Sequence, residues 1–225
     1  MIIGISGMIS AGKSSLVREL KKGYPKSLFL DEFSEGDEIF NTFLKWLYEK
    51  KEHLTMSFQS YIIESHSAKF HEILDDFNQK KLNKFEDHIF LDRFAIEHYI
   101  FAYLNLLPKG TKYIEAYDSL FSKMIFEKEI PDFAIFLDID FENFTKRILK
   151  RGRQVEVDNF ELNKKYFKDL HDIYKPKFIE MATKYKIPFT IVNTVGKTEK
   201  QVYNEVVNLV EIITKAEKIK YSHKN

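Results

Sequence analysis

One stretch near the start, Gly7-Met8-Ile9-Ser10-Ala11-Gly12-Lys13-Ser14, constrains this chain more than any other. It matches the phosphate-binding pattern G-x-x-x-x-G-K-[ST], and its neighbours are the ones that pattern needs. The apolar, β-prone Met1-Ile2-Ile3-Gly4-Ile5 precedes it, and helix-forming Ser15-Leu16-Val17-Arg18-Glu19-Leu20 follows. The two glycines let the backbone curl into a nest of N–H groups at the positive end of a helix dipole, where an anion binds. Lys13 can reach the β and γ phosphates of a nucleotide, and the Ser14 hydroxyl can ligate the Mg²⁺ that accompanies them. Residues Gly7 to Ser15 are therefore the expected ATP site. A glycine-rich turn with an incidental lysine would need neither the strand before it nor the helix after it.

Further along, short apolar segments alternate with helical ones. Ser27-Leu28-Phe29-Leu30, His88-Ile89-Phe90-Leu91, Phe133-Ala134-Ile135-Phe136-Leu137 and Ile187-Pro188-Phe189-Thr190-Ile191-Val192 read as strands two to five. Between them, helices are predicted over about 38–49 and 54–79, in two stretches broken near Leu107-Pro108-Lys109-Gly110, from about Glu142, and over about 160–184. A last helix is expected over about 198–217, followed by a frayed lysine-bearing tail, 218–225. Such alternation predicts an α/β fold, a five-stranded parallel sheet covered by helices on both faces. With 225 residues and no repeat or Pro/Gly/Ser-rich linker, one domain over 1–225 is expected.

Composition narrows the partners. The net charge of +1, from 35 basic and 34 acidic residues, provides no global basic field for nucleic acid. No apolar run approaches the ~20 residues a membrane helix needs. The absence of cysteine rules out a disulfide, a thiolate metal site and a cysteine nucleophile. With a first strand starting at once, no leader peptide is expected, and a cytoplasmic protein without membrane or nucleic-acid partners is predicted.

Charged residues stand where the predicted strands end: Asp31-Glu32 after the second, Asp92-Arg93 after the third. In an open parallel sheet these ends share one side with the phosphate loop. Phosphoryl transfer to a hydroxyl needs a carboxylate for the proton, a cation at the reacting oxygen and an acid to help hold Mg²⁺. Glu32, Arg93 and Asp92 supply all three. Glu32 is the candidate base and Asp92 the candidate metal ligand beside Ser14, although the opposite labelling of the two carboxylates is also chemically sound. A third group is Arg147-x-x-x-Arg151-x-Arg153-x-x-Glu156, with Arg147 and Arg151 one turn apart on a helix face. Arginines clustered in a lysine-rich chain suit a lid, about 147–158, that closes over a triphosphate.

Taken together, these residues resemble the deoxyribonucleoside kinase family, the deoxyadenosine, deoxyguanosine and deoxycytidine kinases. The resemblance spans nearly the whole chain. It rests on the phosphate loop, the acid after strand two, Tyr48 eleven residues before Gln59 in Phe58-Gln59-Ser60-Tyr61, the Asp92-Arg93 pair and the arginine lid. It implies a P-loop kinase that moves the ATP γ-phosphoryl to the 5′-hydroxyl of a deoxyribonucleoside, with Mg²⁺, in nucleotide salvage. By family pattern Glu32 lies near the 5′-hydroxyl, Arg93 binds that oxygen and the carboxylate, and Tyr48 and Glu156 hold the sugar 3′-hydroxyl. Gln59 pairs with the base while Phe58 and Phe101 flank it, as an amide and two aromatic faces can. The lid residues Arg147, Arg151 and Arg153 bind ATP. A homodimer formed through paired helices is expected, the 54–79 helix offering small residues for the contact.

Phe33 and Phe94 stand where family members commonly have proline and serine or threonine. The segment after Arg93 is a residue shorter than in some members, so Glu97 is the expected acid at the base, with His98 beside it and His66 also a candidate for base selection. A purine is the favoured base. Two alternatives remain open on the sequence: a thymidylate-type kinase, which shares the loop, the Asp-Arg pair and the lid, and a non-catalytic nucleotide sensor.

Overall fold

A computed structural model of the chain describes residues 1–31, 38–49, 51–151 and 160–223. Five strands, β1 (Ile2–Gly7), β2 (Leu28–Leu30), β3 (Ile89–Asp92), β4 (Phe133–Asp138) and β5 (Phe189–Asn193), form one sheet in the order β2-β3-β1-β4-β5. All pairs are parallel, with Ile5 opposite Asp92 and also opposite Ile135. The expected α/β architecture is therefore the one observed. Buried runs such as Ile89–Asp92, with no exposed position, are what a strand covered on both faces requires.

The crossovers are helical: α1 (Lys13–Gly23), α2 (Glu38–Tyr48), α3 (Thr55–Gln79), α4 (Ala95–Leu106), α5 (Thr111–Met124), α6 (Phe141–Arg151), α7 (Phe160–Lys184) and α8 (Glu199–Ser222). Their apolar faces close on the sheet. Phe178 of α7 is fully buried against Phe136 of β4, ring centroids 4.7 Å apart, and against Phe189 of β5 at 5.4 Å. A buried phenylalanine of this kind contributes about 3–5 kcal/mol by truncation. Strand order reverses on either side of β1, so the crevice beyond its carboxyl end lies between the loops following β1, β3 and β4.

Two boundaries differ from expectation. The fifth strand starts at Phe189 rather than Ile187, because Ile187 N–H still bonds back to Ala182 and Lys186 takes a left-handed φ of 55°, completing the end of α7. The last helix does not fray at 217 but continues to Ser222. Tyr221 explains this, since Lys84 Nζ lies 4.2 Å from its ring centroid and Phe85 packs on it at 5.5 Å. The start of α8 is held by a capping box between Thr198 and Gln201.

Candidate active site

The phosphate loop leaves β1 at Gly7 and enters α1 at Lys13. At Gly7 a Cβ would sit 2.6 Å from the Leu137 carbonyl of β4, so only glycine lets the loop pass. Gly12 caps α1 with φ 108°, a conformation glycine adopts without strain, while Ser10 carries φ 61°. The loop closes through Ala11 N–H to Met8 O at 3.0 Å. Lys13 Nζ reaches back to the carbonyls of Gly7 at 2.9 Å and Met8 at 3.4 Å, which sets a buried ammonium inside the turn. Ser14 stands exposed at the open first turn of α1, where amides lack intrahelical acceptors.

Beneath this loop lies a buried polar cluster. Arg93, just past β3, has φ 69°, a left-handed conformation that costs a non-glycine residue on the order of 1–3 kcal/mol. The turn brings its Nη1 to the Gly7 carbonyl at 3.3 Å and to Glu97 Oε1 at 3.1 Å, and Nη1 also donates to the Tyr174 hydroxyl. The Tyr174 hydroxyl in turn donates to Glu97 Oε1 at 2.6 Å, and Gly7 N–H donates to the same oxygen at 3.2 Å. The guanidinium also covers the Phe101 ring at 5.0 Å. Glu97 is 0% exposed. Burial pushes its carboxyl up, opposed by the charges of Arg93 and Lys13 and by the bonds from Tyr174 and Gly7. Glu97, the acid expected at the base, thus has its Oε1 turned to Arg93, Tyr174 and Gly7, while its Oε2 accepts no hydrogen bond among the described residues. Four residues on from Arg93, Oε1 faces back along the helix toward the arginine and the phosphate loop.

A cleft of about 610 Å³ runs from the loop past α6 to the start of α8. It is within the range of small-ligand sites. Five basic residues line it, Lys13, Arg93, Arg147, Lys150 and Lys197, against one acidic residue, Glu199, so it favours a polyanion. Arg147 does more than line the wall. Its Nη1 bonds the Ala11 carbonyl and Thr194 Oγ1, both at 3.2 Å, and its Nη2 bonds the Thr194 carbonyl at 2.9 Å. Arg147, expected as a lid arginine, sits on α6 and staples the phosphate loop to the end of β5.

On the other side, α3 carries Phe58, Gln59 and His66, all buried. Gln59 is 1% exposed, and its Oε1 accepts no hydrogen bond among the described residues. Phe58 stacks on Phe43 of α2, centroids 5.2 Å apart and planes within 10°. The His66 and His98 rings meet edge to face at 5.0 Å. Burial lowers His66 to about 4, partly offset by its bond to the Arg93 main chain, and burial holds His98 well below the usual range, with His66 and Arg93 adding to the effect. Asp92, buried at the end of β3, adjoins β1 at the base of the loop. Glu32, Arg153 and Glu156 lie outside the described residues, as do the side chains of Tyr48 and Arg151.

Sequence reasoning overlooked Tyr174, Thr194, Lys197 and Glu199. Tyr174 falls at apolar helical spacing and reads as core. For the other three a signal did exist, the Thr198-x-x-Gln201 helix start directly after a predicted strand.

The family model described as deoxynucleoside kinase matches residues 3–215. An uncharacterized protein of Mycoplasma pneumoniae is 31% identical over 193 residues, covering 84% of this chain and 80% of its own. The deoxyguanosine kinase of Lactobacillus johnsonii is 28% identical over 183 residues, 78% of this chain and 75% of its own. Among solved structures, a deoxyadenosine kinase from M. mycoides, with products dCMP and a flexible dCDP bound, superposes with a TM-score of 0.74 at 22% identity, over 93% of this chain and 98% of that one.

Proposed function

From the premise that this chain belongs to the deoxynucleoside kinase family and is an ATP-dependent kinase, we propose that it phosphorylates the 5′-hydroxyl of a purine deoxyribonucleoside. The observation that carries the acceptor half is Gln59. Its buried carboxamide oxygen has no donor among the described residues, and leaving such an acceptor unpaired costs about 1–3 kcal/mol. An adenine amino group or a guanine N1–H would satisfy it, while the amide N–H₂ donates to the neighbouring ring nitrogen or carbonyl. His66 and His98, uncharged at neutral pH, suit a neutral base edge. The similarity to a deoxyguanosine kinase supports the purine.

In this reading the first-turn amides of α1 and Lys13 hold the triphosphate, and Arg93 holds the acceptor oxygen near the transferring phosphoryl. Glu32 takes the 5′-hydroxyl proton, and Tyr48 and Glu156 bind the 3′-hydroxyl, with Arg151 and Arg153 on the phosphates. A divalent cation fits the donor set. The Ser14 hydroxyl and the Asp92 carboxylate are hard oxygen ligands of the kind Mg²⁺ takes together with phosphate oxygens. Bound there, Mg²⁺ would neutralise charge on the β and γ phosphates. We place the active unit as a homodimer of one-domain chains.

A steady-state panel of the four deoxynucleosides and thymidylate with Mg-ATP tests this. The expected result is kcat/KM for deoxyadenosine or deoxyguanosine at least about tenfold above the pyrimidines, a difference a few pocket contacts can supply. Preferred turnover of thymidylate would establish the monophosphate-kinase alternative instead. ATP binding without transfer to any acceptor would establish the sensor.

A further inference from the structure

Arg93 is held along one edge by three acceptors from three separate parts of the chain: the Gly7 carbonyl of β1, Glu97 Oε1 of α4 and the Tyr174 hydroxyl of α7. The hydroxyl works in both directions. It accepts from the guanidinium and donates to Glu97 at 2.6 Å, which a phenol can do with one proton and two lone pairs. Glu97 Oε1 meanwhile accepts from the Gly7 amide, so the hub ties the arginine to the first residue of the phosphate loop. Glu97 Oε2 is buried with no hydrogen bond among the described residues, so every bond of this carboxyl is made through Oε1. The Tyr174 ring is fixed too, packed edge-on to Phe101 at 5.7 Å and against Phe136 at 6.2 Å. The ring cannot turn away without disturbing the core, and the strained backbone at Arg93 aims the guanidinium at it.

We propose that Tyr174, together with Glu97, is a positioning residue for phosphoryl transfer, fixing the Arg93 guanidinium relative to the phosphate loop. The inference rests on the reading of Arg93 as the cation at the acceptor oxygen. Buried, satisfied networks of this kind specify a single geometry, and a reacting group displaced by an ångström can lose about a hundredfold in rate. Tyr174 also lies on α7, the first helix after residues 152–159, so it connects the chain beyond the arginine-rich segment to the reacting centre.

The test is a double-mutant cycle in kcat with Tyr174→Phe, Arg93→Lys and both together, using saturating Mg-ATP and the best deoxynucleoside from the panel. Phenylalanine retains the ring packing and removes only the hydroxyl. The expected result is a fall in kcat of about tenfold for Tyr174→Phe with the KM for ATP within about twofold, and a double variant no slower than Arg93→Lys alone. Non-additivity is the signature of action through the arginine, one that a merely structural role does not produce. Normal kcat for Arg93→Lys overturns the reading of Arg93 itself. An impaired Arg93→Lys beside an unimpaired Tyr174→Phe, or multiplicative losses in the double variant, overturns the role of Tyr174 and leaves Arg93 standing. Should Tyr174→Phe fold poorly by its melting temperature, the same cycle with Glu97→Gln, which keeps an acceptor at Oε1, decides by the same criteria.

Discussion

Arg147 donates twice to Thr194, from Nη2 to its carbonyl at 2.9 Å and from Nη1 to its hydroxyl at 3.2 Å, and shares Nη1 with the Ala11 carbonyl. One guanidinium thus sets the spacing between the phosphate loop and the segment leading into α8. Lysine carries the same charge at a single point and cannot span both partners. Arg147→Lys is expected to raise the KM for ATP about tenfold, the worth of one to two buried hydrogen bonds, with kcat changed by less than about threefold. A drop in kcat at unchanged KM would assign Arg147 to the transferred phosphoryl instead.

Gly4 and Phe94 are shaped to each other. A Cβ at Gly4 would stand 2.5 Å from the Phe94 ring, so the aromatic residue after Arg93 is accommodated by a bare backbone on β1. Gly4→Ala should therefore destabilise by about 1–3 kcal/mol through overpacking, seen as a lower melting temperature. Adding Phe94→Leu should restore part of the loss. If the pair proves additive, steric conflict is not the cause.

The buried histidines predict a pH dependence. His66 is held down to about 4 in the folded chain, against about 6.5 when unfolded. Above pH 6.5 both states carry a neutral ring and nothing is lost. As pH falls from 6.5 toward 4 the unfolded chain takes up a proton that the folded one resists, so stability declines across that window. The neighbouring Arg93 and Lys69 act in the same direction on His98 and His66 respectively. Melting curves between pH 7 and 4.5 should fall several degrees further in the wild type than in His66→Asn. Parallel slopes would remove His66 as the cause.

Gln59 predicts a substrate effect separable from the donor site. Gln59→Leu keeps the volume and removes both hydrogen-bonding groups, so kcat/KM for the preferred deoxynucleoside should drop at least about a hundredfold. The KM for ATP should stay within about twofold, because the donor cleft shares no lining residue with α3. Equal losses on both substrates would make Gln59 a fold residue.

Much of this was legible beforehand because it is local. The phosphate loop is a continuous segment whose glycines answer local backbone demands, φ 108° at Gly12 and the close pass at Gly7. The strands and helices follow from period and from punctuation such as Thr198, the cap of α8. Arg93 and Glu97 were each legible as site residues, but their pairing was not read from the i, i+4 spacing. Which way that pair points was not legible either, since it depends on one left-handed turn at Arg93 that no residue type announces.

By itself, then, the chain's sequence determined that a triphosphate loop opens a parallel α/β sheet and that Asp92 and Arg93 stand on its side. The tertiary structure alone decided how distant parts meet. It brought Tyr174 of α7 to Arg93, Thr194 to Arg147, and Tyr221 to Lys84 so that the last helix holds its final turn. The reason is physical. Strand order and helix packing bring together residues far apart in sequence, and a tyrosine at core spacing looks the same whether its hydroxyl ends in solvent or on a buried arginine.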